Sequence, residues 1–402
     1  MPTPIGNRTL IRALNRSTVL NAIKRFGPID RAEVARRTGL SPATVTGITA
    51  ELIEDNLIFE KAPGESRGGR RPILMAINPH GGYVVGVKLT EAQATGALTD
   101  LEANVIARQT RSWKGQSPQE AVEVIVELVH ELIAGEGLHK KQLLGVGVGL
   151  AGIVDAERGL LRTTPYFDWY DLPLRDLLQK AIKVPVYVDN DVNTLTLAEK
   201  WFGAGQGVDD FLTVTIGRGV GLGIVVNGQF YRGVGGGAGE FGHTVVDPHG
   251  PACACGKRGC LETFVGDPGL VRMAREAFQD GLLPAPVSTV PELIALADAG
   301  QPAAQEILAR AGKVLGRGIA NLINLFNPQL IILGGEGTRA GDWLFEPMRR
   351  EIAEHTLPRL AADVTLRIDP WGDDAWARGA ASLVLRELFE SPVHREETLQ
   401  AA

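Results

Sequence analysis

All three cysteines of the chain fall within eight residues, Cys253 and Cys255 followed by Cys260, and His243 lies ten residues upstream. Three thiolates and one imidazole form the ligand set of a closed tetrahedral zinc site. Gly256 and Gly259 allow the loop to turn tightly around an ion. Four protein ligands leave no position open for a catalytic water, so the expected zinc is structural, and no cysteine remains for a disulfide or a nucleophile. The alternative is three free thiols in a loop beside a histidine. Glu240 and Glu262 flank the cluster and are not needed as ligands, so a stapled loop would hold these carboxylates toward something else.

The elements that must position this cluster belong to a chain of 402 residues, enough for two or three domains with substantial cores. A composition of 44% hydrophobic and 22% charged residues is that of a globular protein. The sequence has neither an N-terminal signal segment nor an apolar run of membrane-spanning length, and its cysteines are arranged for metal, so a cytoplasmic protein without a membrane partner is expected. The net charge of −6 argues against a nucleic-acid binder over its whole surface, but the charge is uneven. Residues 1–78 carry 12 Lys and Arg against 7 Asp and Glu, while the remainder carries 29 against 40. A basic head on an acidic body suits a DNA-binding module joined to a sensor.

Within the head, Val19, Leu20 and Ile23 suit the inner face of a helix stopping near Gly27 and Pro28. A short second helix over 31–38 ends at Gly39. Ser41 caps a third, with Pro42 at its first position. Val45, Ile48 and Leu52 share the face that must pack inward. Ala43, Thr46 and Gly47, with Thr44 at the flank, leave a small, uncharged opposite face shaped for a major groove, the signature of a helix-turn-helix. Two short apolar segments, 57–61 and 73–77, enclose a tip containing Arg67, Arg70 and Arg71 and predict a winged hairpin. These arginines would contact phosphates or a narrow minor groove; the other reading is a solvated tip. Ser41, Ala43, Thr44, Thr46, Gly47, Arg67, Arg70 and Arg71 are the candidate DNA contacts.

From Tyr83 onward strands and helices alternate. Strands are expected over 83–89, 96–100, 105–111, 143–150, 184–188 and 330–333, with a strand-rich stretch over 211–226. Long helices are expected over 118–134 and 303–324, giving an α/β body, and the tail beyond Glu390 is charged. Several motifs stand out along this body: Asn15, Arg16 and Ser17 leading into the winged helix, the wing ending in Arg70, Arg71 and Pro72, and Asp189, Asn190 and Asp191 after a strand. The glycine run 217–223, Glu240 with Gly242 and His243, the cysteine loop ending in Glu262, and Asn327 and Pro328 followed by Gly334 and Gly335 complete the set. Through them nearly the whole chain resembles the ROK family (repressor, open reading frame, kinase), in its branch of helix-turn-helix regulators. The resemblance implies a two-lobed actin-like, ribonuclease-H-like body. It implies the divisions 1–78 for the winged helix-turn-helix, 79–195 for a first lobe and 196–402 for a second lobe with the zinc loop, the last helix returning to the first lobe.

The resemblance also places Asn190, Asp191, Glu240, His243 and Glu262 around a sugar, carboxylates being strong acceptors for its hydroxyls. His243 would give one ring nitrogen to zinc and turn the other toward a sugar oxygen. In the family's kinases Asp191 would be the general base, but the same carboxylate also binds the hydroxyl, so its presence is no proof of catalysis. Those kinases carry an Asp-x-Gly-Gly-Thr turn after the first strand, next to the ATP phosphates. Here the matching residues are Lys88, Leu89, Thr90, Glu91 and Ala92, and no catalytic residue is expected. Arg218 replaces a threonine in the later glycine turn, a departure that reads either way. Residues 163–172, rich in aromatics, either wall the sugar site or pack in the core.

Three readings follow: a repressor released from operator DNA by a sugar, an ATP-dependent sugar kinase with a DNA-binding head, and a regulator controlled by a protein partner. The first is the expected one. Its partners are double-stranded operator DNA and a small sugar, and its state is a homodimer or homotetramer.

Overall fold

The computed structural model describes residues 8–61, 72–113, 117–369 and 374–389. The expected wing residues Arg67, Arg70 and Arg71 lie outside them. Helix α1 (Arg8–Phe26) buries Val19, Leu20 and Ile23 as expected, but starts well before its apolar stretch. Its first turns are held to a later helix by ion pairs, Arg12 to Glu51 and Arg16 to Asp55, so no hydrophobic period announces them. Strand β1 (Ile29–Asp30) leads into α2 (Arg31–Thr38). Asp30 caps that helix by accepting from Glu33 N at 2.9 Å, and Gly39 ends it at φ 71°. Helix α3 (Pro42–Glu54) follows, then β2 (Ile58–Lys61) and β3 (Leu74–Ile77), which pair antiparallel in a sheet of order β1-β3-β2.

The body opens with an antiparallel meander, β4 (Tyr83–Leu89), β5 (Gln93–Thr99) and β6 (Val105–Ser112). Helix α4 (Pro118–Gly135) is started by a capping box between Ser117 and Glu120, and its apolar stripe, Ile125, Leu128 and Leu132 among it, is buried. Strand β7 (Leu143–Leu150) returns parallel to β4. A small antiparallel sheet follows, β8 (Ile153–Asp155), β9 (Leu160–Thr163) and β10 (Tyr170–Leu172), then α5 (Leu174–Ile182), β11 (Val186–Asn190) and α6 (Asp191–Phe202).

The meander is then repeated as β12 (Phe211–Ile216), β13 (Val220–Val226) and β14 (Gln229–Phe230). Helices α7 (Glu262–Val265), α8 (Asp267–Gln279), α9 (Val290–Asp298) and α10 (Pro302–Phe326) precede β15 (Leu330–Gly334), which lies parallel to β12. Helices α11 (Asp342–His355) and α12 (Pro358–Asp363), strand β16 (Thr365–Ile368) and helix α13 (Asp374–Phe389) complete the described chain. The two five-stranded sheets, β6-β5-β4-β7-β11 and β14-β13-β12-β15-β16, share one order, with β12 to β16 standing where β4 to β7 and β11 stand.

The chain divides into two units. One takes the described residues within Met1–Leu150, Pro173–Val188 and Trp376–Ala402; the other takes Ala151–Leu172 and Asp189–Ala375. This division differs from a boundary at 195 over the small β8–β10 sheet and over 189–195. In the first unit α13 lies so close to the sheet that a Cβ on Gly147 would meet Ala380 O at 1.8 Å, which is why β7 carries glycine there. In the second, Leu315, Ile319 and Ile323 of α10 pack with Val214 and Leu333 of the sheet in one apolar core. Among the described residues no helix is long and apolar enough to cross a membrane.

Candidate functional site

The cysteine loop is a knuckle built by backbone bonds. Ala252 bridges Arg258, Val245 bridges Cys260, and Cys253 N donates to Lys257 O at 2.8 Å. Gly259 sits at φ 65°, where a Cβ would fall 1.5 Å from Asp247 O, so only glycine closes this turn. The knuckle brings one ligand atom each from His243, Cys253, Cys255 and Cys260 within 4.8 Å of one another, a group that could hold a metal ion. Cys255 Sγ and Cys260 Sγ are 3.7 Å apart, and Cys253 Sγ and His243 Nδ1 are 3.5 Å apart. Ligand atoms around a tetrahedral zinc, with sulfur at about 2.3 Å and nitrogen at about 2.0 Å, are separated by roughly 3.5–3.8 Å, so the donor set fits. Burial, helped by the neighbouring sulfurs, pushes the Cys260 thiol up to about 12, so an ion binding here displaces its proton.

The ring of His243 that offers Nδ1 to the knuckle turns Nε2 toward Glu240, 3.9 Å from its carboxylate. The Glu240 side chain is 45% exposed, yet desolvation by the loop raises its pKa; His243 opposes that shift and Glu262 adds to it. Cys260 and Leu261, both fully buried, lead straight into α7, whose first residue is Glu262. Its Oε2 accepts from Val220 N at 3.0 Å, at the start of β13.

Asp191 enters from the β11–α6 junction. Asn190 caps α6, its Oδ1 accepting from Val192 N at 2.8 Å and Asn193 N at 3.3 Å while its Nδ2 donates to Gly152 O at 2.9 Å. Most of the hydrogen-bonding capacity of Asn190 is thus spent on the fold, which sequence reasoning did not anticipate. The fully buried Asp189 fixes this junction. It accepts from Asn190 N and from Asn193 Nδ2 on one oxygen, and from Arg232 Nε at 2.9 Å and Nη2 at 2.8 Å on the other. Arg232 lies on the loop that runs on to Glu240, so one buried ion pair links the two carboxylate-bearing segments.

Tyr166, from the aromatic stretch, is drawn into the same group. Burial pushes its hydroxyl up to about 12, with the charges of Asp191, Glu262 and Glu336 acting in the same direction. Arg218 lies over its ring, Cζ 4.7 Å from the centroid. Phe167 and Trp169 stack on each other at 4.3 Å, and Trp169 is buried, so those two are packing residues. Sequence reasoning missed Arg232 and Glu336, and held Tyr166 only as part of the aromatic stretch 163–172, read as either a wall of the sugar site or core packing. The signal for Glu336 was its place directly after Gly334 and Gly335, where a short glycine run stops. Asp191, Glu240, His243, Glu262, Tyr166, Arg218 and Glu336 all belong to the second unit.

On the head, Ser41 caps α3, accepting from Thr44 N at 3.1 Å. Val45, Ile48 and Leu52 are buried, whereas Ala43, Thr46 and Gly47 are exposed and Thr44 is half-buried. Thr46 turns its hydroxyl back to Pro42 O at 2.8 Å. Thr49, also buried, accepts from Arg31 Nε at 2.9 Å and ties α3 to α2.

Comparison with known proteins gives the same two parts. The ROK family model matches residues 84–387, and the MarR family model matches residues 13–71. The chain is 31% identical to a xylose repressor of Bacillus spizizenii, over 96% of this chain and 98% of the other. It is 33% identical to the DNA-binding transcriptional dual regulator NagC of Escherichia coli, over 96% and 95%. Among solved structures, a ROK family transcriptional regulator described as a homologue of E. coli MLC superposes with a TM-score of 0.86, at 29% identity over 96% and 98% of the two chains.

Proposed function

The chain belongs to the ROK family, and on that premise we propose that it represses sugar-metabolism genes, binding operator DNA through its head and leaving it when a sugar binds the body. The observation that carries this reading is one chain holding both a capped helix with a bare outer face and carboxylates beside a His-Cys knuckle that could hold a metal ion. Repressors of full-length similarity support it. Ser41, Ala43, Thr44, Thr46 and Gly47 meet the major groove, and Arg67, Arg70 and Arg71 meet the minor groove or phosphates. Two heads of a homodimer or homotetramer read a palindrome, because one recognition helix covers only a few base pairs.

Asp191, Glu240 and Glu262 accept sugar hydroxyls, His243 offers Nε2, and Asn190 contributes its remaining amide proton. The ion in the knuckle is zinc, held by His243, Cys253, Cys255 and Cys260. It supplies no chemistry to the sugar; it fixes the His243 tautomer and the start of α7.

The protein does not phosphorylate the sugar. Lys88 stands where the kinases of the family have an acid, and its ammonium lies 3.5 Å over the Trp376 ring. Thr90 closes the following turn by accepting from Gln93 N at 3.2 Å and donating to Gln93 O at 3.0 Å.

The test titrates fluorescent operator DNA with protein in the presence of xylose, glucose or N-acetylglucosamine, and follows ADP release from ATP and sugar in parallel. Release of DNA by one sugar without ADP formation is expected. Sugar tightening the DNA complex, or steady ADP release, would overturn the repressor or the non-kinase reading respectively.

A further inference from the structure

The turn Gly217–Gly219 joins β12 to β13 and has the makings of an anion cradle, since glycines let a ligand approach backbone N–H groups closely. The protein has put its own carboxylates there. A Cβ on Gly217 would lie 2.7 Å from Glu336 Oε2, and one on Gly219 would lie 2.6 Å from Glu262 Oε2. Glu262 takes the N–H of Val220 at the end of the turn. Asp267 N donates to Gly217 O at 2.8 Å, which seats the first residue of α8 against the same turn. The only residue of the turn with a side chain, Arg218, is engaged over Tyr166.

The charge around this turn is therefore negative. Glu262, Asp267 and Glu336 lie at it, with Glu240 close to Glu262 and the charge of Asp191 reaching Tyr166 beneath Arg218, against the guanidiniums of Arg218 and Arg339. The neighbours respond to that field. Burial raises the Asp267 carboxyl and Glu336 raises it further, against the pull of Arg339 and Arg218. A second anion brought to the turn meets Glu336 within contact distance and finds the Val220 N–H already taken.

We infer that the site takes an uncharged sugar and rejects its phosphate ester, and that Glu336 is the specificity-determining residue which excludes the phosphate. A neutral polyol donates its hydroxyls to these carboxylates, whereas a phosphate has no proton to give two of its oxygens and adds like charge. This rests on the sugar reading of Asp191, Glu240 and Glu262, and it goes beyond that reading by fixing the charge class of the effector.

The experiment measures binding by calorimetry and thermal shift for xylose, glucose and N-acetylglucosamine, each beside its own terminal phosphate ester. The neutral sugar that binds is expected to bind on the order of 100-fold more tightly than its ester, a discrimination that shrinks with added salt. Glu336→Gln keeps the side chain and removes the charge, and Glu336→Gly restores a bare turn; each is expected to cut the discrimination at least about tenfold. An ester binding as well as its parent sugar overturns the inference while the sugar reading stands. Unchanged discrimination in Glu336→Gln, with the protein folded, overturns the role of Glu336. No binding of either form to the wild type brings down the sugar reading and this inference with it.

Discussion

The two five-stranded sheets share one order, yet their leading hairpins do opposite things. In the first, the tip Thr90–Ala92 is sealed by Thr90 and by Trp113 just after β6. Thr90 Oγ1 accepts from Ala92 N and Gln93 N, Trp113 N donates to Ala92 O at 3.0 Å, and Trp113 Nε1 donates to Thr90 O at 2.9 Å. In the second, the tip Gly217–Gly219 makes one internal backbone bond, Gly217 N to Gly219 O at 3.1 Å, and is surrounded by charged side chains brought from α7 and from the segment after β15. One scaffold has been spent in two ways. The first unit closes its hairpin and uses α13 as a strut. Trp376 at one end of α13 packs under Lys88, and at the other end the carbonyl of Phe389 accepts from Ser17 at 2.6 Å and from Asn21 on α1 of the head. The second unit lines its hairpin with carboxylates, and Glu262, which directly follows the cysteine loop, bonds to Val220 N at its end. Changes in the second unit should therefore strike the sugar response and spare operator binding, and changes in the first should do the reverse.

The largest effect is expected from the knuckle. Purified protein should contain one zinc per chain by elemental analysis. Chelation, or Cys255→Ser, should lower the melting temperature by several degrees and abolish sugar binding, since a structural site contributes its binding free energy to folding. Operator affinity measured below the new transition should change little, because every ligand lies in the second unit. Zinc-free protein with full sugar affinity would break the comparison at its strongest point. Asp191→Ala comes next. Losing a charged acceptor should weaken sugar binding roughly 10- to 100-fold, so that operator DNA stays bound at sugar concentrations that release the wild type. A variant released as readily as the wild type would remove Asp191 from the site.

How much of this was legible follows from distance along the chain. The knuckle could be read because its three sulfurs and the glycines that fold it are local, and α3 because its cap, its Pro42 and its apolar stripe lie within one helix. The first half of α1 could not, since its anchors Glu51 and Asp55 are 39 residues away and polar. The Asp189–Arg232 pair spans 43 residues, and although Asp189 stood in a motif after a strand, nothing in the sequence marked Arg232 as its partner. The expected strand 96–100 proved to be 93–99, because Gln93 pairs across the sheet with Ser112 although its own side chain is exposed. Tyr166 shared a stretch with Phe167 and Trp169, and only the fold separates the one that meets charge from the two that stack.

A first-unit effect of intermediate size is expected at the α1–α13 contact. The ammonium nitrogen of Lys24 is buried 4.1 Å over the Phe389 ring, and burial lowers its pKa to about 7, with the Glu102 charge acting against that shift. The unfolded chain keeps the ordinary value of 10.5, so between these two limits the folded protein binds fewer protons than the unfolded one. Stability should then rise as pH climbs through that window, the cost of the buried charge being fully present below it. Lys24→Met should flatten the slope in denaturant titrations at pH 7 and pH 10, leaving sugar affinity unchanged. A slope identical to that of the wild type would assign the pH dependence to other groups.

The smallest effect separates folding from recognition on the head. Gly47 sits within α3, exposed, and a Cβ built there meets nothing within 4 Å. Glycine inside an exposed helix costs about 1 kcal/mol relative to alanine, and among the described residues of the head nothing accounts for it. A groove surface does, because it needs the helix backbone close to the bases. Gly47→Ala should therefore stabilise the free protein by up to about 1 kcal/mol and at the same time weaken operator binding, with the response to sugar intact. Measured on one preparation by thermal unfolding and DNA titration, the two changes should have opposite signs. A variant that is more stable and binds operator as tightly as the wild type would show that this face of α3 does not enter the groove at Gly47, and the contrast between a DNA-reading first unit and a sugar-reading second would have to rest on the wing.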